Sequence, residues 1–197
     1  MKTPDQKAET EKIVLTALLA ALVIVLQLFG SAVHFGPFSI SLVLLPIVLG
    51  AALCGPWAGA FLGGVFGTVV LLSGDAAPFL AISIPGTIAT VLVKGIACGL
   101  VAGLVYRAFS RKNRYLAAGA AAFVCPVVNT GVFLLGCVCF FFDAVAAWGV
   151  DAGATSTVQY LLVGFVGVNF IIELALNVVL IPVLVRLIDL AGKRRRA

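Results

Sequence analysis

Two charged residues, Lys94 and Glu173, stand deep inside long runs of Val, Ile, Leu and Ala. Asn169 precedes Glu173 by one helical turn, and Asn129 and Thr130 lie together in a different apolar run. An ammonium, a carboxylate, amides and a hydroxyl can pair charges and can both donate and accept hydrogen bonds. Such a set can hold a small polar solute if separate segments of the chain bring its members together. The segments around these residues therefore decide what chemistry is open to them.

The overall composition identifies those segments as membrane helices. The 197 residues are 62% hydrophobic and 11% charged, with a mean hydropathy of +1.21. Soluble domains are about half apolar and about a quarter charged, so this chain has too little polar surface to cover a soluble globule. We predict a single membrane domain over residues 1–197, with a polar N-terminal tail at 1–11 and a basic C-terminal tail at 189–197.

Apolar runs long enough to form transmembrane helices recur along the chain. About 20 apolar residues cross the ~30 Å of hydrocarbon in a bilayer. Each run is predicted to be helical, because an open strand cannot satisfy its backbone hydrogen bonds in lipid. The predicted fold is an all-α integral membrane bundle of six transmembrane helices. The predicted spans are 12–29, 40–53, 57–72, 84–109, 115–142 and 158–188.

The distribution of Lys and Arg sets the predicted orientation, since cytoplasmic loops are rich in these residues. Apart from Lys94, every basic residue falls at the N-terminus, around the loop after the fourth span, or near the C-terminus. The loops on the other side contain Asp75, Asp143 and Asp151 but no Lys or Arg. Both termini are therefore predicted to be cytoplasmic. The net charge of +5 does not indicate nucleic-acid binding, because the basic clusters are short and carry no interleaved aromatic residues.

The polar residues inside the spans are predicted to share one depth in the membrane. Lys94 precedes Arg107, and Glu173 precedes Arg186, by about 13 residues, which is ~20 Å of helix. Ionisable groups inside spans face the bundle interior and mark functional sites. We therefore predict a substrate site in one layer; the alternative is a buried Lys94–Glu173 ion pair that only holds helices together. The candidate ligand-binding residues are Lys94, Asn129, Thr130, Asn169 and Glu173.

The outer end of the predicted bundle offers further polar residues. Gln27 lies near the outer end of the first span, and His34 lies in the first outer loop. Both are candidate substrate contacts. Together with the second outer loop they could form a lid, to which that loop would contribute Ser73, Asp75 and Ser83.

Several enzyme classes are excluded by what the sequence lacks. It contains no GxxxxGK[ST] loop and no HExxH motif, and His34 is its only histidine. A Ser-His-Asp type of triad is therefore not evident, and we predict no enzymatic activity. No CxxC pair is present, and a zinc site needs about four N or S ligands, so neither a metal nor another cofactor is predicted.

Small residues recur at a spacing of four along three of the predicted helices. One row is Gly55, Gly59, Gly63 and Gly67, and a second is Gly95, Gly99 and Gly103. Small residues at this spacing let helices approach closely in lipid, and for these two rows we predict packing inside the bundle. Ala17 and Ala21 form a third row, which fits an external partner helix as well as internal packing.

The ordered set of these motifs resembles the substrate-binding S components of energy-coupling factor (ECF) vitamin transporters, and the likeness extends over about residues 12–188. "ALLAA" at 17–21 contains the alanine motif of that family, and "ISLVLLPIVLGAALCGPWAGAFLGGVFG" at 40–67 looks like its second and third helices. "VNTGVFLLG" at 128–136 and "NFIIE" at 169–173 resemble its pantothenate-type branch, and Lys94 matches a basic residue of the fourth helix. The loop at 73–83 is shorter than in that branch, and "VVNT" replaces Thr-Asn-Thr, so the substrate stays open.

The resemblance implies a function and a set of partners. An S component captures a water-soluble vitamin with high affinity in a prokaryotic plasma membrane. It then docks, here through Ala17 and Ala21, on a transmembrane coupling subunit driven by two cytoplasmic ATPases, and it topples to release the vitamin. Lys94 facing a carboxylate favours a pantothenate-like ligand. The alternatives are a self-contained secondary carrier of a small organic anion that uses Lys94 and Glu173, and a structural membrane subunit without a ligand.

Overall fold

The computed structural model describes residues 4–31, 34–35, 38–39, 43–165 and 167–194 of the chain. Nearly all of these residues are helical. Two strands of two residues each, β1 (His34–Phe35) and β2 (Phe38–Ser39), form one antiparallel hairpin. A π-helical turn, Tyr160–Phe165, follows α8. The helices are α1 (Pro4–Gly30), α2 (Leu44–Cys54), α3 (Pro56–Ser73), α4 (Ala77–Leu80), α5 (Ile84–Phe109), α6 (Arg114–Phe140), α7 (Phe142–Asp151), α8 (Thr157–Gln159), α9 (Gly167–Val179) and α10 (Ile181–Arg194).

Four helices of the described chain, α1, α3, α5 and α6, are long and apolar enough to cross a membrane. A fifth span exists if the bent pair Phe170–Val179 and Ile181–Asp189 is counted as one. The predicted second span is the 11-residue helix α2, which at 1.5 Å per residue covers only about 16 Å. The described residues thus form an all-α bundle with four or five candidate spans, and the predicted total of six spans stays a prediction.

The predicted sixth span, 158–188, is not one continuous helix. It is divided among α8, the π-helical turn, α9 and α10, and the last two are bent by 43° at Leu180. Pro182 follows this bend, and proline both lacks an N–H and clashes with the carbonyl of residue i−4. Residues 4–11 belong to α1, and α10 continues to Arg194.

Helices α3 and α5 pack backbone against backbone along the two glycine rows. A methyl group added to Gly63 would overlap the backbone of Gly95, and one added to Gly59 would overlap that of Gly99. We call this contact between α3 and α5 the glycine seam. At its end, a side chain on Gly103 would meet Pro56. The predicted internal packing is therefore confirmed for both rows except at Gly55, which precedes α3 and has no neighbour where its side chain would lie. This close contact fixes the height of α5, which carries Lys94, relative to α3.

Local signals set where these two helices begin. Gly55 has a φ of 103°, a left-handed conformation that glycine adopts readily, and Pro56 follows it as the first residue of α3. Helix α5 begins after Ser83, whose side-chain oxygen accepts a hydrogen bond from the N–H of Gly86 at 3.3 Å. This is the usual function of a serine N-cap.

The two ends of the bundle differ in charge. At one end, the Arg114 guanidinium lies 3.8 Å from the Asp189 carboxylate, and the Cys54 thiol lies 3.7 Å from the Lys12 carbonyl. We call this the basic end, because α1 begins there and the α5–α6 connection carries Arg111 and Lys112. The opposite end contains α4, α7 and Asp75.

Candidate functional site

The α5–α6 interface aligns the polar residues of the two helices. Thr90 on α5 lies against Gly136 on α6, where a methyl group would overlap the Thr90 side chain. One turn further along α5, the Lys94 ammonium lies 4.9 Å from the centre of the Phe133 ring. These contacts define an antiparallel register. That register places Asn129, one turn from Phe133 on α6, within about one helical turn of the level of Lys94.

Lys94 lies between two aromatic rings. Its ammonium is 5.7 Å from the ring centre of Phe66 on α3 and 4.9 Å from that of Phe133 on α6. An ammonium within about 6 Å of an aromatic face is attracted to the electrons of the ring. Lys94 is half-buried, and its ammonium keeps N–H groups that can donate hydrogen bonds to a ligand anion.

Glu173 on α9 is 2% exposed and lies within Coulombic range of Lys94. The two side chains, both within the described chain, do not form an ion pair at 4.0 Å or less. The geometry thus differs from the alternative prediction of a Lys94–Glu173 ion pair that only holds two helices together. Asn177, one turn further along α9, donates its amide Nδ2 to the Glu173 carbonyl at 2.8 Å.

Four buried side-chain oxygens in the described residues have no hydrogen-bond partner. Leaving a buried polar group unpaired costs about 1–3 kcal/mol, so such groups are few in most folded proteins. Here they occur on α5, the helix that carries Lys94, and on α6 and α9. They are Thr90 Oγ1, Asn129 Oδ1, Glu173 Oε1 and Asn177 Oδ1.

The polar groups of this site divide into hydrogen-bond donors and acceptors. The ammonium of Lys94 supplies donors and a positive charge, whereas the amide and carboxylate oxygens supply acceptors. A solute with an anionic group together with hydroxyl or amide donors would satisfy both kinds of group. Hydroxyls such as that of Thr90 can either donate or accept a hydrogen bond.

An aromatic cluster adjoins the site towards the α4–α7 end. Phe79 on α4 has its ring centre 5.5 Å from that of Phe133, 5.0 Å from that of Phe141 and 5.7 Å from that of Trp148, in edge-on geometries. Phe170 on α9 packs against the same cluster. Phe133 therefore joins the cluster to Lys94, a contact that connects the two loop helices α4 and α7 to the polar layer.

The remaining sequence-predicted site residues have different positions. Gln27 is 2% exposed, and its Nε2 donates to the Asp75 carboxylate at 2.6 Å. The Ser73 hydroxyl donates to the same carboxylate oxygen at 3.1 Å. The structure thus places Gln27 in a polar link between α1 and the loop after α3. Thr130 is half-buried on α6 beside Asn129.

Two of the predicted residues are described only through their backbones. His34 pairs with Ser39 in the hairpin, and Asn169 lies in α9 one turn before Glu173. Their side chains fall outside the described part of the structure, so their function as ligand contacts stays a prediction.

Thr90 is not among the predicted site residues, and the sequence does not predict that Phe66 lies near Lys94. Thr90 precedes Lys94 by four residues, so the two share a helix face, and this spacing was the available signal. Phe66 carries no such signal, because its proximity arises from the α3–α5 glycine seam. The structure also places Phe133 beside Lys94.

Ala17 and Ala21 lie on the outer surface of α1. Both are exposed, together with neighbours on the same side such as Ile13 and Val14. The inward side of α1 carries Leu19 and Val23. The alanine row is therefore not used for packing within the described bundle.

Comparison with known proteins identifies the family. The family described as "ECF transporter, substrate-specific component" matches residues 11–185. The chain is also 26% identical over 197 residues to the pantothenic acid transporter PanT of Lactococcus lactis subsp. cremoris (strain MG1363), an alignment that covers 91% of this chain and 94% of that protein. No solved structure matches the chain significantly.

Both matches are transporters rather than enzymes, in agreement with the predicted lack of enzymatic activity. Together with the apolar helices, they identify a multi-pass protein of the plasma membrane. The chain belongs to the substrate-specific components of ECF transporters.

Proposed function

We propose that this chain captures pantothenate, or a small carboxylate with a similar set of hydroxyl and amide groups, for an ECF-type importer. The observation that carries the proposal is the group of unpaired buried oxygens on α5, α6 and α9, together with the Lys94 ammonium on α5. Membership of the family and the likeness to PanT support it independently.

Pantothenate has the functional groups that this layer would complement. Its carboxylate would accept from the Lys94 ammonium, a charge-assisted contact of the stronger class of hydrogen bonds. Its hydroxyls and amide N–H would donate to the oxygens of Asn129, Glu173 and Asn177. Thr90, Thr130 and Asn169 would complete the site, with His34 and Gln27 near its outer end.

The membrane topology that fits this function has six crossings, with both termini in the cytoplasm. Helix α2 would be the short second span, and α9 with α10 would form one bent sixth span. The charge difference between the ends supports this orientation, because basic residues concentrate on cytoplasmic surfaces. The ligand site would then load from outside the cell.

Transport would require the partners that the family resemblance implies. The exposed row of Ala17 and Ala21 would dock on the transmembrane coupling subunit, and two cytoplasmic ATPases would supply energy. Small residues permit a close approach of a partner helix in lipid. The chain would then topple in the membrane, and its site would face the cytoplasm.

A second candidate function is that of a secondary carrier coupled to protons through Lys94 and Glu173. The observation that favours it is that these groups interact by charge without forming a direct ion pair. Liposomes that contain only this chain separate the two functions. Binding without gradient-driven uptake supports the capture subunit, whereas uptake driven by an ion gradient alone supports the carrier.

The direct test is calorimetry of the purified protein with a panel of water-soluble vitamins. We expect pantothenate to bind most tightly and neutral vitamins without a carboxylate to bind weakly. Tight binding of a neutral vitamin would contradict the function proposed for Lys94. A panel in which nothing binds would favour a structural subunit.

A further inference from the structure

A cavity of about 300 Å³ opens at the basic end, far along α5 from Lys94. Its wall is formed by the third turn of α1, the α2–α3 turn and the last turns of α5. Its volume falls at the lower end of the range of sites that take small ligands. The lining residues are Lys12, Ala51, Ala52, Leu53, Cys54, Gly55, Pro56, Gly103, Tyr106, Arg107 and Ser110.

The charge of this cavity is positive. Lys12 and Arg107 line it from different helices, and no acidic residue is among its lining residues. Neither side chain has a carboxylate of the described residues within 4.0 Å; the neighbouring Arg114, by contrast, pairs with Asp189. Two cations that converge on one cavity without an acidic partner are suited to an anion.

The position of the cavity indicates the source of that anion. Lys12 immediately precedes the exposed apolar surface of α1, which starts at Ile13, and Arg107 lies in the last turn of α5. Both cations therefore lie where apolar helix surface ends, at the level of lipid headgroups. Trp57 and Phe61, one turn apart on α3, are 80% and 58% exposed and offer surface for acyl chains.

We propose that this cavity binds the phosphate of an anionic phospholipid, with Lys12 and Arg107 as its ligands. Basic pockets between membrane helices on the cytoplasmic side take such headgroups. Because Lys94 lies elsewhere on α5, the lipid site does not depend on the identity of the transported solute.

Native mass spectrometry of the purified chain with added phosphatidylglycerol or phosphatidylcholine tests the proposal. We expect preferential retention of phosphatidylglycerol. The double variant Lys12→Gln, Arg107→Gln should weaken it about thirtyfold, the equivalent of about 1 kcal/mol for each basic residue near an anionic surface. The matched control is Arg111→Gln, Lys112→Gln, which removes two exposed charges of the same end outside the cavity.

The outcomes separate a specific site from general attraction. Wild-type retention in the Lys12 and Arg107 double variant, or an equal loss in the control pair, would overturn the proposal. Displacement of the lipid by millimolar inorganic phosphate would show that a free anion occupies the cavity instead. The charge-preserving variant Lys12→Arg, Arg107→Lys should retain phosphatidylglycerol, which shows that any loss arises from charge and not from misfolding.

Discussion

Replacing Thr90 by Val should affect stability and ligand binding differently. The Thr90 hydroxyl is buried, with the residue 5% exposed, and its oxygen has no hydrogen-bond partner. Valine has nearly the same shape and removes only the polar atom. Without ligand, the variant loses no hydrogen bond, so its stability should stay equal or rise by about 1 kcal/mol. For a chain of this length that corresponds to a melting temperature up to about 2–4 °C higher.

Ligand binding should respond in the opposite sense. If the Thr90 hydroxyl pairs with the solute, its removal leaves a polar group of the ligand unpaired, at a cost of about 1–3 kcal/mol. The dissociation constant should therefore increase about 5- to 150-fold. Calorimetry with pantothenate measures this change, and thermal unfolding without ligand measures the stability.

Thr87 provides a matched control one turn away on the same helix. It is 1% exposed, but its hydroxyl donates to the Ser83 carbonyl at 2.8 Å. Thr87→Val should therefore lower stability by about 0.5–1.5 kcal/mol and leave affinity unchanged. If Thr90→Val instead destabilises the free protein as Thr87→Val does and leaves affinity unchanged, the assignment of Thr90 to the ligand site is refuted.

Three further changes test other parts of the molecule. Lys94→Ala should weaken pantothenate binding about 10- to 150-fold, because a hydrogen bond to a charged group contributes about 1.5–3 kcal/mol; unchanged affinity in calorimetry would contradict a Lys94–carboxylate contact. Gly63→Ala should lower stability by about 1–3 kcal/mol through overpacking, whereas Gly64→Ala, whose added methyl meets Ile96 at 3.5 Å, should be tolerated in thermal unfolding. Equal stability of these two alanine variants would refute the glycine seam. Ala17→Trp should leave binding intact and block uptake by the reconstituted importer, while Leu22→Trp, exposed on α1 away from the alanine row, should transport normally; normal uptake by both would remove the docking function of that row.

Several features were predictable because they depend on short stretches of sequence. The cost of placing each side chain in lipid depends mainly on that side chain, so composition alone predicted a membrane bundle. Helix α5 has the predicted bounds, Ile84–Phe109, because Ser83 caps its start and the following run is apolar. The glycine rows likewise predicted close packing inside the bundle, since a small-residue spacing is visible in one helix at a time; the structure shows that the two rows pack against each other.

Other features of the helices could not be predicted from the apolar runs alone. The last apolar run reads as one long helix, but it contains a π-helical turn and a 43° bend before Pro182. Apolar content does not reveal whether the backbone hydrogen bonds within a run continue unbroken. The short helix α2 illustrates the same limit, because its 11 residues are as apolar as a full span.

The sequence by itself determined the membrane environment, the helical class and the residue types available for a polar layer. Only the tertiary structure decided which of those polar atoms lack partners. It separated Lys94 from a direct ion pair with Glu173, placed Phe66 and Phe133 around the ammonium, and left the Thr90 oxygen unpaired. The physical reason is that hydrogen-bond satisfaction depends on the rotation and register of adjacent helices, and these are set by packing between residues far apart in the chain.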